Sequence, residues 1–299
     1  MLSGLLSGVF WAFDTVIISI ILGKITGDAR VMLIAPLVST FLHDLCSSIF
    51  MLVYMGIKGK LKETFNTLKT RGGKFIMLAA ILGGPIGMSA YITAIGLIGP
   101  SLTAIISSLY PALGSLMAWI FLKEKRKPYQ IIALFIAIGA IILLGYTNDG
   151  QITNLWLGIA LALICVIAWA SEGVICTYGL QNENVNNEVA LQIRQTISMI
   201  FYALVIINLF KAWGLTSELI SSNLILIVFI SAFFGTISYL FYYRSFQQIG
   251  ASKTMALNIS YSAFAIIVSF FILKTVPSLK DIILGLVIVG SGLISAYDK

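Results

Sequence analysis

Charge is scarce in this sequence. Only 10% of its 299 residues are Asp, Glu, Lys or Arg, whereas 59% are hydrophobic. An average soluble domain has about 25% charged and 45–50% apolar residues. The shortage excludes an ordinary water-soluble enzyme, and the apolar excess excludes a disordered chain, which needs the opposite balance. Histidine occurs once, at His43, and cysteine at Cys46, Cys165 and Cys176. These cysteines fall inside apolar blocks without a C-x-x-C pair, so they read as small core residues and not as a disulfide framework. Catalytic signatures are missing as well: there is no HExxH, GxSxG, Walker A or GxGD sequence. No enzyme and no cofactor is predicted. The opening residues, Met1 to Trp11, lack a basic stretch and a small-residue cleavage site, and they read as a retained span instead of a signal peptide.

What is abundant is apolar length. A helix needs about 20 apolar residues to cross the hydrocarbon core. Such blocks predict ten spans, at 2–22, 31–57, 74–97, 100–122, 129–146, 155–178, 189–210, 222–246, 252–273 and 279–297. Membrane barrel strands are far shorter, about 9–11 residues of alternating polarity. The predicted fold class is therefore an all-α polytopic membrane protein. Ten spans leave no room for a soluble domain. The net charge of +7 then reports topology and not a nucleic-acid partner. Lys58, Lys60, Lys62, Lys69, Arg71 and Lys74 lie in loop two, Lys123, Lys125, Arg126 and Lys127 in loop four, and Lys253 in loop eight. The odd loops hold only Lys24, Arg30, Lys211, Lys274 and Lys280. Even loops, and with them both termini, are predicted to face the cytoplasm.

The chain also repeats. Trp11-Ala-Phe-Asp14 in span one returns as Trp169-Ala-Ser-Glu172 in span six, 158 positions later. From span two onward the offset is 151: Ile98, Gly99, Ser101, Thr103, Tyr110, Leu122 and Lys123 match Ile249, Gly250, Ser252, Thr254, Tyr261, Leu273 and Lys274. Ile131, Ile132, Gly139 and Tyr146 match Ile282, Ile283, Gly290 and Tyr297. Two units follow, 1–147 and 154–299, each of five spans. An odd number of spans inverts the second unit relative to the first. Inverted repeats mark secondary transporters, with the substrate held near the midplane between them.

The polar residues inside the spans carry the chemistry. Asp14, Asp44 and Glu172 fall near the middle of spans one, two and six. Each opposes insertion by about 2.5–3.5 kcal/mol, so such residues face water or a partner and mark a substrate or proton route. The alternative is a structural ion pair, which Arg194 and His43 could complete for Asp44. His43 titrates near neutrality when unperturbed and is a candidate for proton coupling. Trp11 with Asp14, and Trp169 with Glu172, are spaced by three and share a helix face. An acid beside an indole suits an organic cation, because a desolvated cation–π contact contributes about 2 kcal/mol. Tyr91 and Tyr242 match at the repeat offset, as do Tyr110 and Tyr261. Tyr239 and Tyr243 are further candidates, with core packing as the alternative for any single ring. Trp119, Trp156 and Trp213 lie near span ends and read as an interfacial belt. Helix breaks are expected at Gly83-Gly84-Pro85-Ile86-Gly87 in span three, at its offset partner Phe234-Gly235-Thr236 in span eight, and at Pro111 in span four with Ser262 opposite. Interrupted helices in both halves point to a binding region, although small residues also serve close packing.

Taken together these features resemble the drug/metabolite transporter superfamily, in the ten-span branch built from two EamA-type repeats. The resemblance spans the whole chain. It implies an inverted-repeat bundle with a central cavity formed by the first four spans of each half, and with spans five and ten outside it. A closer likeness is to the LicB-type bacterial choline importers. It rests on His43-Asp44, Gly84-Pro85-Ile86-Gly87-Met88, Tyr110-Pro111, Ala168-Trp169-Ala-Ser-Glu172, Ile193-Arg194-Gln195 and Asn258-Ile-Ser-Tyr261. That likeness implies uptake of choline or a related amine across the bacterial cytoplasmic membrane. The cation would be held by Trp169, Glu172, Trp11 and Tyr239. Asp14 is not part of that pattern and adds charge to the cavity. Other EamA-type members export amino acids or metabolites, and Arg194 would then meet the substrate carboxylate. A non-transporting scaffold would need no acids at mid-membrane. The partners expected are a small-molecule substrate and the lipid bilayer; no feature specifies an oligomeric state.

Overall fold

The computed structural model describes residues 1–25, 27, 29–145 and 154–297. Among them the ordered elements are all helical. They are α1 (Leu2–Lys24), α2 (Ala29–Ile57), α3 (Leu61–Leu68), α4 (Arg71–Gly99), α5 (Ile105–Leu122) and α6 (Pro128–Gly145) in the first half. The second half holds α7 (Leu155–Gln181), α8 (Asn187–Leu209), α9 (Trp213–Ser221), α10 (Leu224–Ile249), α11 (Ala251–Leu273) and α12 (Leu279–Ala296). Among the described residues, nine of these are long and apolar enough to cross a membrane, and α6 supplies a shorter apolar stretch, Pro128–Leu144. Tyr146, the expected end of span five, lies outside the described residues. Hydrophobic side chains such as Phe121, Phe135, Trp156, Leu204 and Phe271 are exposed on the bundle surface, which in water would be a liability and in lipid is the matching solvent.

Two short helices occupy segments expected as loops. In α3, Leu61, Thr64 and Leu68 recur every three or four residues and turn inward, while Lys62 and Phe65 face out. Thr70 then caps α4, its hydroxyl accepting from the Gly73 amide at 3.0 Å. α3 is part of a basic end of the bundle that is tightly tied. Glu188 accepts from Lys58 at 2.6 Å, Lys60 at 2.7 Å and the Tyr54 hydroxyl at 2.7 Å. These bonds hold the exposed Lys58 ammonium above its ordinary pKa. At the same end Gln181 donates to the carbonyls of Phe246 and Gln247.

Helix pairing follows a pattern. α1 packs along α10, and α7 packs along α4, while α6 and α12 pair with each other at the side. Small residues make the close approaches possible: a Cβ on Gly8 would meet Ser260 at 2.8 Å, and one on Gly158 would meet Ile98 at 2.3 Å. A single glycine, Gly99, interrupts the helical stretch Ser89–Ser107 that leads from α4 towards α5, and a single glycine, Gly250, separates α10 from α11. Both glycines are extended at positive φ, 81° and 83°, with ψ of 161° and 178°. Lys123 and Lys274, 151 positions apart, both end a helix in the left-handed region, at φ 60° and 59°. The helices on either side of Ser108–Leu109 and of Ile259–Ser260 are also broken at the same offset.

The expected helix breaks are partly corrected. Gly83-Gly84-Pro85-Ile86-Gly87 does not end a helix. It forms a π-helical turn, Leu82–Met88, inside α4. Pro85 lacks an N–H, and the wider turn carries the helix past the missing bond. The partner expected at Phe234-Gly235-Thr236 is not interrupted, because α10 is continuous there. Gly235 serves proximity instead: a Cβ would lie 2.4 Å from His43 Nε2. Pro111 is in the first turn of the helix that starts at Tyr110, where a missing N–H costs nothing. The break lies just before it, at Ser108–Leu109.

Replacing Gly99 or Gly250 with Ala should destabilise the protein by about 1–3 kcal/mol, the cost of holding an L-residue in that backbone region. Gly139→Ala, in a helix with open space around the site, should leave thermal stability unchanged or raise it. Thermal unfolding of the three purified variants checks the contrast.

Candidate substrate-binding site

Two connected spaces lie between the halves. The smaller is a chamber of about 70 Å³ lined by Trp11, Met88, Tyr110, Trp169, Glu172, Ser238, Tyr239, Tyr242, Asn258 and Tyr261. The larger, about 720 Å³, shares Trp11, Met88, Trp169, Tyr239 and Tyr261 with it. It runs past Asp14, His43, Asp44, Gly84, Tyr91 and Arg194 to Leu22, Leu33 and Leu97. Those last three residues are near the end of the bundle opposite the basic one. The chamber therefore lies at the bottom of a wide vestibule.

Aromatic side chains wall the chamber at right angles to one another. Trp11 meets Tyr239 with centroids 5.2 Å apart and planes at 83°. Trp169 meets Tyr110 at 5.8 Å and 84°, and Tyr91 leans on its other side at 5.3 Å. Tyr239 also meets Tyr242 at 6.3 Å. Edge-to-face pairing is a favoured aromatic arrangement and fixes the rings relative to one another. The π turn in α4 fixes Trp169, whose indole N–H donates to the Gly83 carbonyl at 3.1 Å. It also receives its neighbours at very short range. A Cβ on Gly83 would lie 1.7 Å from Glu172 Oε2, one on Gly84 would lie 2.2 Å from Ser198 Oγ, and one on Gly87 would lie 2.8 Å from Trp169 Cδ1. The glycines and Pro85 thus shape the cradle for Trp169 and Glu172.

Beneath the rings is a buried charge network. Arg194 Nε donates to Glu172 Oε1 at 3.2 Å, and Nη1 reaches Asp44 Oδ1 at 3.5 Å and Gln195 Oε1 at 2.6 Å. Nη2 donates to the Tyr239 hydroxyl at 2.9 Å, and the guanidinium lies 4.4 Å from the Tyr239 ring centre. Ser198 donates to Asp44 Oδ2 at 2.6 Å. His43 is held between two acids, with Nε2 3.3 Å from Asp14 Oδ1 and Nδ1 3.4 Å from Asp44 Oδ1. Ser231 donates to Asp14, and Gln195 extends the network through Ser47 to Thr236.

The sequence candidates are thereby sorted. Trp11, Tyr110, Trp169, Glu172, Tyr239, Tyr242 and Tyr261 line the chamber; Tyr91 lines the vestibule and buttresses Trp169. Asp14 is not among the chamber residues. It faces the vestibule and belongs with His43, Asp44 and Arg194. Ser198, Ser231 and Ser47 carry no role in the sequence reading, and Gln195 and Asn258 enter it only as motif neighbours of Arg194 and Tyr261. Ser198 is four residues after Arg194 on one helix face, a spacing that could have flagged it. Among the described residues no cluster of His, Cys, Asp and Glu suits a metal ion.

The profile of the EamA-like transporter family matches residues 1–146 and 156–297. The chain belongs to that family. It is thus a multi-pass membrane protein of the drug/metabolite transporter superfamily, a group of transporters and not of enzymes. It is 30% identical over 301 residues to Protein LicB of Haemophilus influenzae (strain ATCC 51907 / DSM 11121 / KW20 / Rd), a match covering 100% of this chain and 97% of LicB. A chain solved by crystallography shares the fold at a TM-score of 0.74 and 17% identity, covering 98% of this chain and 94% of its own. The family relation and the likeness to LicB agree with the resemblance read from the motifs.

Removing Arg194 would leave buried carboxylates without their counter-charge. Arg194→Ala should therefore destabilise by about 3–5 kcal/mol, the usual cost of breaking a buried ion pair from one side. Arg194→Lys should recover little, since one ammonium cannot reproduce the guanidinium fork. Melting temperatures of the two variants test this.

Proposed function

We propose that this protein is a secondary transporter that imports a small organic cation, choline or a related quaternary amine, by alternating access. The observation that carries the reading is the chamber. Trp11, Trp169 and Tyr239 line a small space that one acid, Glu172, borders. Quaternary ammonium groups bind by cation–π attraction to such walls, with Trp the strongest ring. The large vestibule gives such an ion a route in, and the relation to LicB supports the same substrate class. Ten spans in two inverted units, 1–147 and 154–299, with both termini in the cytoplasm of a bacterial cell, complete the reading. The paired joints at Gly99 and Gly250, the paired left-handed ends at Lys123 and Lys274, and the α1–α10 and α7–α4 pairing support it. The basic end then faces the cytoplasm, and the vestibule faces outward.

Energetics favour import. An inside-negative potential contributes about 2.3 kcal/mol per charge per 100 mV, roughly fifty-fold accumulation of a monovalent cation. The His43 link between Asp14 and Asp44 is where a proton gradient would add to that force. Export of amino acids fits less well. Its carboxylate receptor would be Arg194, whose guanidinium is already engaged by Glu172, Asp44, Gln195 and Tyr239.

Trp169→Ala and Glu172→Gln should each weaken choline binding by about tenfold or more, with Trp169→Phe intermediate, as loss of a desolvated cation–π contact or of a counter-charge predicts. Labelled choline, betaine and amino acids offered to proteoliposomes under an inside-negative potential provide the readout. Unchanged choline affinity in both variants, or uptake of amino acids in place of choline, would sink the reading.

A further inference from the structure

Rings and an acid are not the whole of the chamber wall. Asn258 and Ser238 also line it, and both side chains are buried. Asn258 closes the first stretch of α11, Ala251–Asn258, just before the interruption at Ile259–Ser260. α1 runs close beside it, since a Cβ on Gly8 would lie 3.3 Å from the Asn258 carbonyl oxygen. Cation–π attraction needs neither of these polar groups, so their chemistry points to a different part of the ligand.

The hydrogen bonds around them run in a fixed direction. Ser7 gives its hydroxyl proton to the Gly4 carbonyl at 2.7 Å, which leaves its oxygen to accept. That oxygen accepts from Asn258 Nδ2 at 3.1 Å. The amide orientation follows, and Asn258 Oδ1 faces Tyr110, whose hydroxyl donates to it at 3.2 Å. An asparagine amide has two N–H donors and two lone pairs on its oxygen. One of each is taken among the described residues, so one donor and one acceptor site remain. Ser238 gives its proton to the Ser7 carbonyl at 2.7 Å, and its oxygen can then only accept.

A hydroxyl is the ligand group that answers such a set, because it accepts with its oxygen and donates its proton. A methyl in its place would leave the spare N–H of Asn258 unanswered in a closed space, at the cost of desolvating it. A carboxylate has no proton to give and would bring negative charge into a chamber that Glu172 already borders. We propose that Asn258 is a specificity-determining residue that reads a hydroxyl on the bound cation, with Ser238 as the second partner. The substrate class is then the quaternary amino alcohols, as distinct from simple tetraalkylammonium ions. The ammonium group would rest among the rings, and the alcohol would take the Asn258 N–H and give its proton to Ser238 or to Asn258 Oδ1. This inference rests on the organic-cation reading above and assigns that cation its second point of recognition.

Isothermal titration calorimetry on the full-length protein in lipid nanodiscs tests the proposal. The two ligands are choline and n-propyltrimethylammonium, which carries a methyl where choline carries its hydroxyl. The native protein should favour choline by about tenfold, the factor that one net hydrogen bond implies. Asn258→Leu should bring the two affinities together by weakening choline, with n-propyltrimethylammonium binding as before or more tightly. Ser238→Ala should narrow the preference by about threefold or more, and it decides the matter should Asn258→Leu fail to fold. Variants that weaken both ligands alike and keep the native ratio would reduce Asn258 to a structural tie between α1, α5 and α11, and would overturn the proposal. So would a native protein that binds the two ligands equally, a result that leaves the organic-cation reading standing. Binding of neither ligand to the native protein would instead sink the organic-cation reading and this inference with it.

Discussion

An arginine side chain buried in a membrane protein keeps its charge, and everything around it must answer to that. Arg194 is 3% exposed and cannot shed its proton. Its neighbours are arranged accordingly. Glu172 and Asp44 supply opposite charge from two other helices, Gln195 and Tyr239 accept two more of its N–H groups, and the Tyr239 ring covers one face. These contacts draw α2, α7, α8 and α10 to one point near the middle of the bundle. Removing Glu172 or Asp44 would leave the guanidinium short of counter-charge deep inside the bundle. The packing of both halves converges on the same point.

The chamber is a by-product of how that point is built. Glu172 and Trp169 are three residues apart on α7, so the acid that meets Arg194 is on the same face as the indole that walls the chamber. Neither could approach α4 if that helix carried side chains there. Three glycines and a π turn open the space, and the Gly83 carbonyl takes the indole N–H. The indole that walls the chamber and the charge network are thus positioned by the same few backbone atoms.

Much of this was legible in the residues themselves. Apolar blocks announced a helical membrane protein, and mid-span acids with spaced tryptophans marked the centre. What sequence spacing could not give was the partner of each side chain. A shared helix face pairs Trp11 with Asp14 in the sequence, yet their tips diverge, one to the chamber and the other to His43. The glycines at Gly83 and Gly235 looked alike as helix breakers. One lies in a π turn and the other in an unbroken helix, and both exist because a neighbouring polar side chain needs the space of a missing Cβ. Such needs are set across helices, where periodicity along one chain carries no signal. The short helices α3 and α9 carry no comparable signal, since eight or nine residues are too few to stand out among apolar spans.

The joints at Gly99 and Gly250 have a mechanical meaning. A long loop has slack, and two helices joined by one can slide past each other. A single extended residue has none. α4 and the helix that follows it are bound into a stiff hairpin, as are α10 and α11. Within these hairpins the helices are interrupted at Ser108–Leu109 and at Ile259–Ser260, both beside the chamber. Both hairpins thus carry their breaks at the level of the chamber and not at the rims.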